Sequence, residues 1–193
     1  MAADRRAFYV VQHVRSLAHP GRQLSGTRLT LDKGSPEGWD FSICVPSTQA
    51  RFDQYEEEIS YALERTFSTL LDALQGDMPA ATREHHVKRR ALELFYYWAN
   101  FGALTRGTSA TGYAAMYAVL LAGGLEITDS LPKGKQLDWE AIFSSDPETF
   151  VQTALPWLQT RPMDLDPEGL PSVALALPTY QSMVDVLNYE PNE

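Results

Sequence analysis

Phe95-Tyr-Tyr-Trp-Ala-Asn-Phe-Gly-Ala-Leu-Thr-Arg-Gly-Thr-Ser-Ala-Thr-Gly-Tyr113 joins two helices of different character. Upstream, Val87, Ala91, Leu94, Phe95 and Trp98 recur at three- and four-residue spacing, which predicts an amphipathic helix from about Glu84 to Asn100. Downstream, Ala110, Ala114, Tyr117 and Leu121 line one side of a second helix, capped by Thr108 and running to Ala122. Tyr113, Met116 and Leu120 make its other side apolar as well, and a helix apolar all round is expected at the centre of a fold. Gly123-Gly124 stops it.

Before this pair, Phe52, Tyr55, Ile59, Leu63, Phe67, Leu70 and Leu74 form one apolar stripe, with Glu56, Glu57, Glu58 and Glu64 on the outer face. Ser47 or Thr48 stands at its start and Gly76 at its end. The chain begins in strand-like sequence. Phe8 to Val14 is β-branched and aromatic, and Thr27 to Asp32 alternates up to the turn signal Lys33-Gly-Ser-Pro-Glu-Gly38. Trp39, Phe41, Ile43 and Val45 then share one face, so the last two runs predict an antiparallel hairpin. After the helix pair, Leu125 to Thr128 reads as extended, and Asp138 opens a short helix through Phe143. Asp146-Pro147-Glu148 is a helix start, with cap, proline at the first position and acid in the first turn. The fold class is α+β and predominantly helical: an N-terminal β-hairpin followed by a helical bundle around a central apolar helix at about 108–122. The expected organisation is one globular domain over 1–160, β-rich at 8–45 and helical at 51–158. A proline-rich acidic C-terminal extension follows over 161–193.

The 193 residues are 44% apolar, enough for one real core. The net charge of -9 and a pI near 4.9 argue against nucleic acid and against an anionic membrane surface as partners. The longest apolar stretch, near Gly112 to Leu125, is shorter than the roughly 20 residues that cross a bilayer. No apolar run precedes a cleavage site in Met1 to Phe8, so no signal peptide is expected. A single cysteine, Cys44, forms no internal disulfide and reads as a buried structural thiol. The cytoplasm, with the nucleus as a second compartment, is the expected location.

Chemistry concentrates between the two helices. Backbone N–H groups at a helix start are unpaired and carry partial positive charge. Thr108 and Ser109 add hydroxyls, Gly107 lets a ligand approach the backbone, and Arg106 offers a planar charged fork. Together these four residues make a candidate anion site; Tyr96, Tyr97 and Asn100 lie off the stripe of Leu94 and Trp98 and either face a cavity before the turn or, as is commoner for aromatics at helical spacing, pack as core. The competing reading makes Thr108 a plain cap and Arg106 the partner of a protein carboxylate or of helix carbonyls. His85-His86 points in two directions and has no third ligand, so no metal and no cofactor are expected. No Walker loop, Gly-x-Gly-x-x-Gly or Gly-x-Ser-x-Gly elbow occurs.

Five segments carry a family resemblance: Phe8-Tyr-Val-Val11, Pro20-Gly-Arg-Gln-Leu-Ser-Gly-Thr-Arg-Leu-Thr-Leu31, Tyr96-Tyr-Trp-Ala-Asn-Phe101, Leu104-Thr-Arg-Gly-Thr-Ser-Ala-Thr-Gly-Tyr113 and Leu137-Asp-Trp-Glu-Ala141. Over about Phe8 to Leu158 the chain resembles the C-terminal domain of the tetratricopeptide repeat protein 13 family. Plant members of that family are negative regulators of effector-triggered immunity. The resemblance implies a non-catalytic regulatory domain with a protein partner, and it supplies no catalytic residues. A more distant similarity is to the Fic fold. There an aromatic helix leads into a His-Pro-Phe…Gly-Asn-Gly-Arg loop and then an apolar helix. Trp98 to Gly124 has that layout, and the Thr27–Val45 hairpin would play a flap. Phe101 stands near the place of the motif histidine, so the proton acceptor for nucleotidyl transfer is missing. The similarity implies a degenerate fold that binds a phosphate-containing small molecule at Arg106–Thr108. The alternative is a transferase acting on a nucleotide or other phosphate-containing substrate, with Glu126 or Asp138 as base or metal ligand. Whether the chain is an enzyme stays open at this point.

Overall fold

The computed structural model describes residues 7–35, 38–44, 48–102, 104, 107–163, 169, 171–179 and 181–182. A three-stranded antiparallel sheet comes first, built from β1 (Ala7–Arg15), β2 (Gln23–Ser35) and β3 (Gly38–Cys44) in that order. The expected hairpin is β2–β3, in which Leu31 faces Phe41 and Leu29 faces Ile43. The strand read at Phe8 to Val14 adds to the other side of β2, with Phe8 opposite Leu31 and Val10 opposite Leu29. A register shift between Val11 and His13 bends β1. Val14, Leu24 and Thr27 bury the base of this sheet, while its outer half stands in solvent. Cys44, expected to be buried, is only half-buried at the end of β3, and Val45 lies outside the described residues.

Three long helices follow: α1 (Gln49–Gln75), α2 (Ala80–Phe101) and α3 (Thr108–Ala122). Then come β4 (Leu125–Ile127), α4 (Leu137–Phe143), α5 (Pro147–Ala154), a 3-10 turn at Leu155–Trp157 and β5 (Thr160–Pro162). β4 and β5 pair antiparallel, Leu125 opposite Pro162, and the compact unit runs from residue 1 to Met163. Residues 164–193 form a separate unit, which carries the one-turn α6 (Val173–Ala176).

The buried axis of the bundle is α2, which corrects the placement of 108–122 at the centre. Leu92, Leu94, Phe95, Tyr96, Tyr97 and Phe101 are all buried, and α2 packs against α1, α3, α4, α5 and the sheet. Only Gly112, Met116 and Leu120 of α3 are fully buried. Size is the physical reason. The rings of α2 fill the volume between several neighbours, whereas α3 makes its contact through Gly112, Met116 and Leu120 and leaves most of its alanines at the surface. A Cβ on Gly112 would lie 2.7 Å from Cδ1 of Trp98, so the α2–α3 contact depends on that missing methyl.

α1 also turns away from its expected stripe. Tyr55 and Ile59 are buried, but Leu63, Phe67 and Leu74 are 44%, 63% and 55% exposed. The face on α2 is made by Ala62, Thr66 and Ala73. Small residues let the two helices approach closely, and two polar anchors set the rotation of α1. Glu58, 1% exposed, accepts from Ser16 Oγ and from Leu17 N at 2.6 Å. Arg51 donates to Tyr55 Oη at 2.7 Å and to the Gly26 carbonyl at 3.3 Å.

At α5 the expected start is observed: Asp146 accepts from Thr149 N at 2.8 Å, with Pro147 at the first position. That backbone hydrogen bond holds the Asp146 carboxyl below its ordinary value of 3.8. The stabilisation is therefore complete above the ordinary carboxylate range and is lost as pH falls through the lowered value. Asp146→Ala should cost about 1 kcal/mol at neutral pH, with the difference from the parent vanishing in strong acid, as followed by urea unfolding against pH. Gly112→Val should destabilise by about 1–3 kcal/mol in the same assay, because the added methyls meet an indole packed in place.

Candidate functional site

The turn between α2 and α3 is bracketed by Gly102 and Gly107, whose φ angles of 54° and 75° lie in the left-handed region. Gly107, not Thr108, is the N-cap of α3. A Cβ at Gly107 would meet nothing within 4 Å, so the left-handed angle, and not a close neighbour, is what calls for glycine there. The Thr108 hydroxyl donates to the Leu104 carbonyl at 2.9 Å and accepts from Leu104 N at 3.3 Å. Ser109 Oγ donates to Asp138 Oδ2 at 2.8 Å, so a protein carboxylate already stands at this helix start. Arg106 lies outside the described residues.

Tyr97 and Asn100 are buried in the core. Tyr97 packs against Phe101 and edge-on against Tyr96, and burial raises its phenol well above the usual value. Asn100 is a joint between elements. Its Nδ2 donates to the carbonyls of Tyr96 at 3.0 Å and Ala141 at 2.9 Å, and its own carbonyl accepts from Thr27 Oγ1 at 3.0 Å. Glu126 is held by Arg161 on the β4–β5 ribbon, with contacts of 2.6 and 2.7 Å, and Asp138 by Ser109, so these carboxylates have separate partners. Among the described residues no group of three His, Cys, Asp or Glu is placed to hold a metal.

Ser109 does border a concavity, and its centre is Trp139. One cleft of about 480 Å³ lies between the start of α3 and the segment before α4, lined by Ser109, Ala110, Tyr113, Leu131 and Asp138. A second of similar volume is lined by Gly134, Glu140 and Phe143, and Lys135, Gln136 and Trp139 border both. Burial raises the Tyr113 hydroxyl, so at neutral pH it is an uncharged hydrogen-bonding group on the cleft wall. Trp139 stacks on Phe143 at 5.5 Å and meets Phe41 of β3 at 5.3 Å. From Phe41 the apolar surface continues across the sheet in two registered rows, Phe8–Leu31–Phe41 and Val10–Leu29–Ile43, with Trp39 5.7 Å from Phe8. Apart from the half-buried Leu29, every side chain in those rows is exposed.

The charge in the clefts comes from Lys135, Asp138 and Glu140, and the rest is ring and methyl surface with a few hydrogen-bonding tips. Such a surface suits another protein's apolar side chains. Motif reading at the α3 start found Ser109 but missed Trp139, Phe143 and Lys135. A signal was present. Leu137, Ala141 and Ile142 bury one face of α4, so Trp139 and Phe143, four residues apart, share another.

Over 161 residues, 78% of its length, the chain is 38% identical to Suppressor of RPS4-RLD 1 from Arabidopsis thaliana. Over 159 residues, 80% of its length, it is 31% identical to tetratricopeptide repeat protein 13 from Homo sapiens. The chain belongs to the tetratricopeptide repeat protein 13 family. It spans 14% and 18% of the lengths of these two family members. No family model matches the chain, and no solved structure matches it.

Asn100→Ala removes two donors from buried carbonyls while leaving the clefts intact. It should lower unfolding free energy by about 1–3 kcal/mol, read as a shifted urea midpoint.

Proposed function

We propose that this chain is a regulatory protein-interaction domain that binds its partner through the Trp139 clefts and the aromatic face of the sheet. One observation carries the reading: Phe41, Trp139 and Phe143 link two clefts to a six-residue registered apolar face that stands largely in solvent. Contiguous apolar patches of that kind mark interaction sites in folded proteins, and tryptophan is prominent among residues that dominate binding energy. The relatives support it. One of them is named a suppressor, and regulation by binding is what we carry to this chain. The phosphate reading of Arg106–Thr108 has less behind it, because the hydroxyls of Thr108 and Ser109 already have protein partners.

A photo-crosslinking amino acid at Phe143 should trap a protein partner in cells, whereas the same group at exposed His85 should not. Trp139→Ala should weaken that capture about tenfold or more, equivalent to a loss of at least roughly 1.4 kcal/mol, without moving the melting temperature. Equal crosslinking at both positions, or capture indifferent to Trp139, would remove the basis for this surface.

A further inference from the structure

A second apolar face, sharing no residue with the first, runs along α1. Leu63, Phe67, Leu71 and Leu74 follow one another at spacings of four, four and three, which is the ridge of a helix that packs on another helix. All four are exposed, and the inward face of α1 uses Tyr55, Ala62, Thr66 and Ala73 instead, with the partly buried Leu70 packed on the core beside them. The exposed charge along α1 is negative: Asp53, Glu56, Glu64 and Asp72, together with Glu57, which His19 meets at 3.0 Å. The two arginines of α1 do not offset it, since Arg51 is buried against Tyr55 and Gly26 and Arg65 reaches Glu93 at 3.5 Å.

We infer that α1 receives an amphipathic helix of a partner protein whose apolar seam is flanked by Lys and Arg. The four-four-three spacing asks for helical ridges in return. The acidic rim chooses the sign of the flanks. A second copy of the chain would set the same carboxylates of α1 against one another, on a molecule of net charge -9. Residues 164–193 have the wrong charge for this face, with Asp164, Asp166, Glu168, Asp185, Glu190 and Glu193 and no Lys or Arg.

The test uses the full chain and two labelled helical peptides of about three heptads, with Leu at a and d and either Lys or Glu at e and g. Fluorescence anisotropy should show the Lys peptide binding at least tenfold more tightly than the Glu peptide, and more weakly as salt rises. Phe67→Asp should weaken it tenfold or more, while Trp139→Ala leaves it unchanged, which separates this face from the cleft surface. Glu56→Lys combined with Glu64→Lys should reverse the preference between peptides, so the inference stays testable if Phe67→Asp misfolds. Equal affinity for both peptides, or binding indifferent to Phe67 and to the charge reversal, would overturn it. A wild-type dimer in sedimentation equilibrium that Phe67→Asp makes monomeric would overturn it too, placing a second copy on the seam.

Discussion

A helix that carries Phe95, Tyr96, Tyr97 and Phe101 within two turns has little polar face to offer water. Its rings must be enclosed, and the arrangement of this domain follows from enclosing them. α1 and α3 pack against α2, α4 and α5 cover its later turns, and the base of the sheet leans on its end. Phe150 of α5 meets both Phe95 and Tyr96, and Tyr55 of α1 meets Phe101. Burial on this scale is non-directional, so it explains compactness without choosing orientations.

The orientations come from a few buried polar groups, each of which must find its partner in the protein once water is excluded. Asn100 fixes the end of α2 against α4 and, through its carbonyl, against β2. Glu58 gathers the turn after β1, while Arg51 reaches the Gly26 carbonyl on β2. These two groups sit on the α1 face that looks inward. They turn Leu63, Phe67 and Leu74 outward, although by hydrophobicity alone those residues belong inside. The acidic rim and the apolar seam of α1 are thus products of the same rotation.

Two apolar surfaces of different character result. One is aromatic, concave at Trp139 and flat across the sheet, and its few charges are mixed in sign. The other is a narrow aliphatic seam on one helix with a single-signed rim. A domain with two such faces can engage two partners, or two parts of one partner, without competition for the same residues.

Most of the element order was legible because it rests on local signals: alternation in β2 and β3, four-three spacing in α1 and α2, and Asp-Pro-Glu at α5. Ser109 of the clefts was legible as a helix start. The short ribbon β4–β5 was not, since Thr160–Pro162 becomes a strand only by pairing with a segment some 35 residues earlier. Nor was the exchange of roles between α2 and α3, because apolar content says that a helix can be buried, not that it is. Trp139 and Phe41 are nearly a hundred residues apart, and only packing brings their rings to 5.3 Å. By itself the sequence determined the class of the fold, the start of α5, the excess of negative charge and the family, whereas α2 begins at Ala80 and not near Glu84, and Gly107 and Gln136, not Thr108 and Asp138, cap α3 and α4. The tertiary structure alone decided which apolar stripes face inward, since several helices compete for one core and buried Asn100, Glu58 and Arg51 settle that competition through hydrogen bonds between segments far apart in the chain.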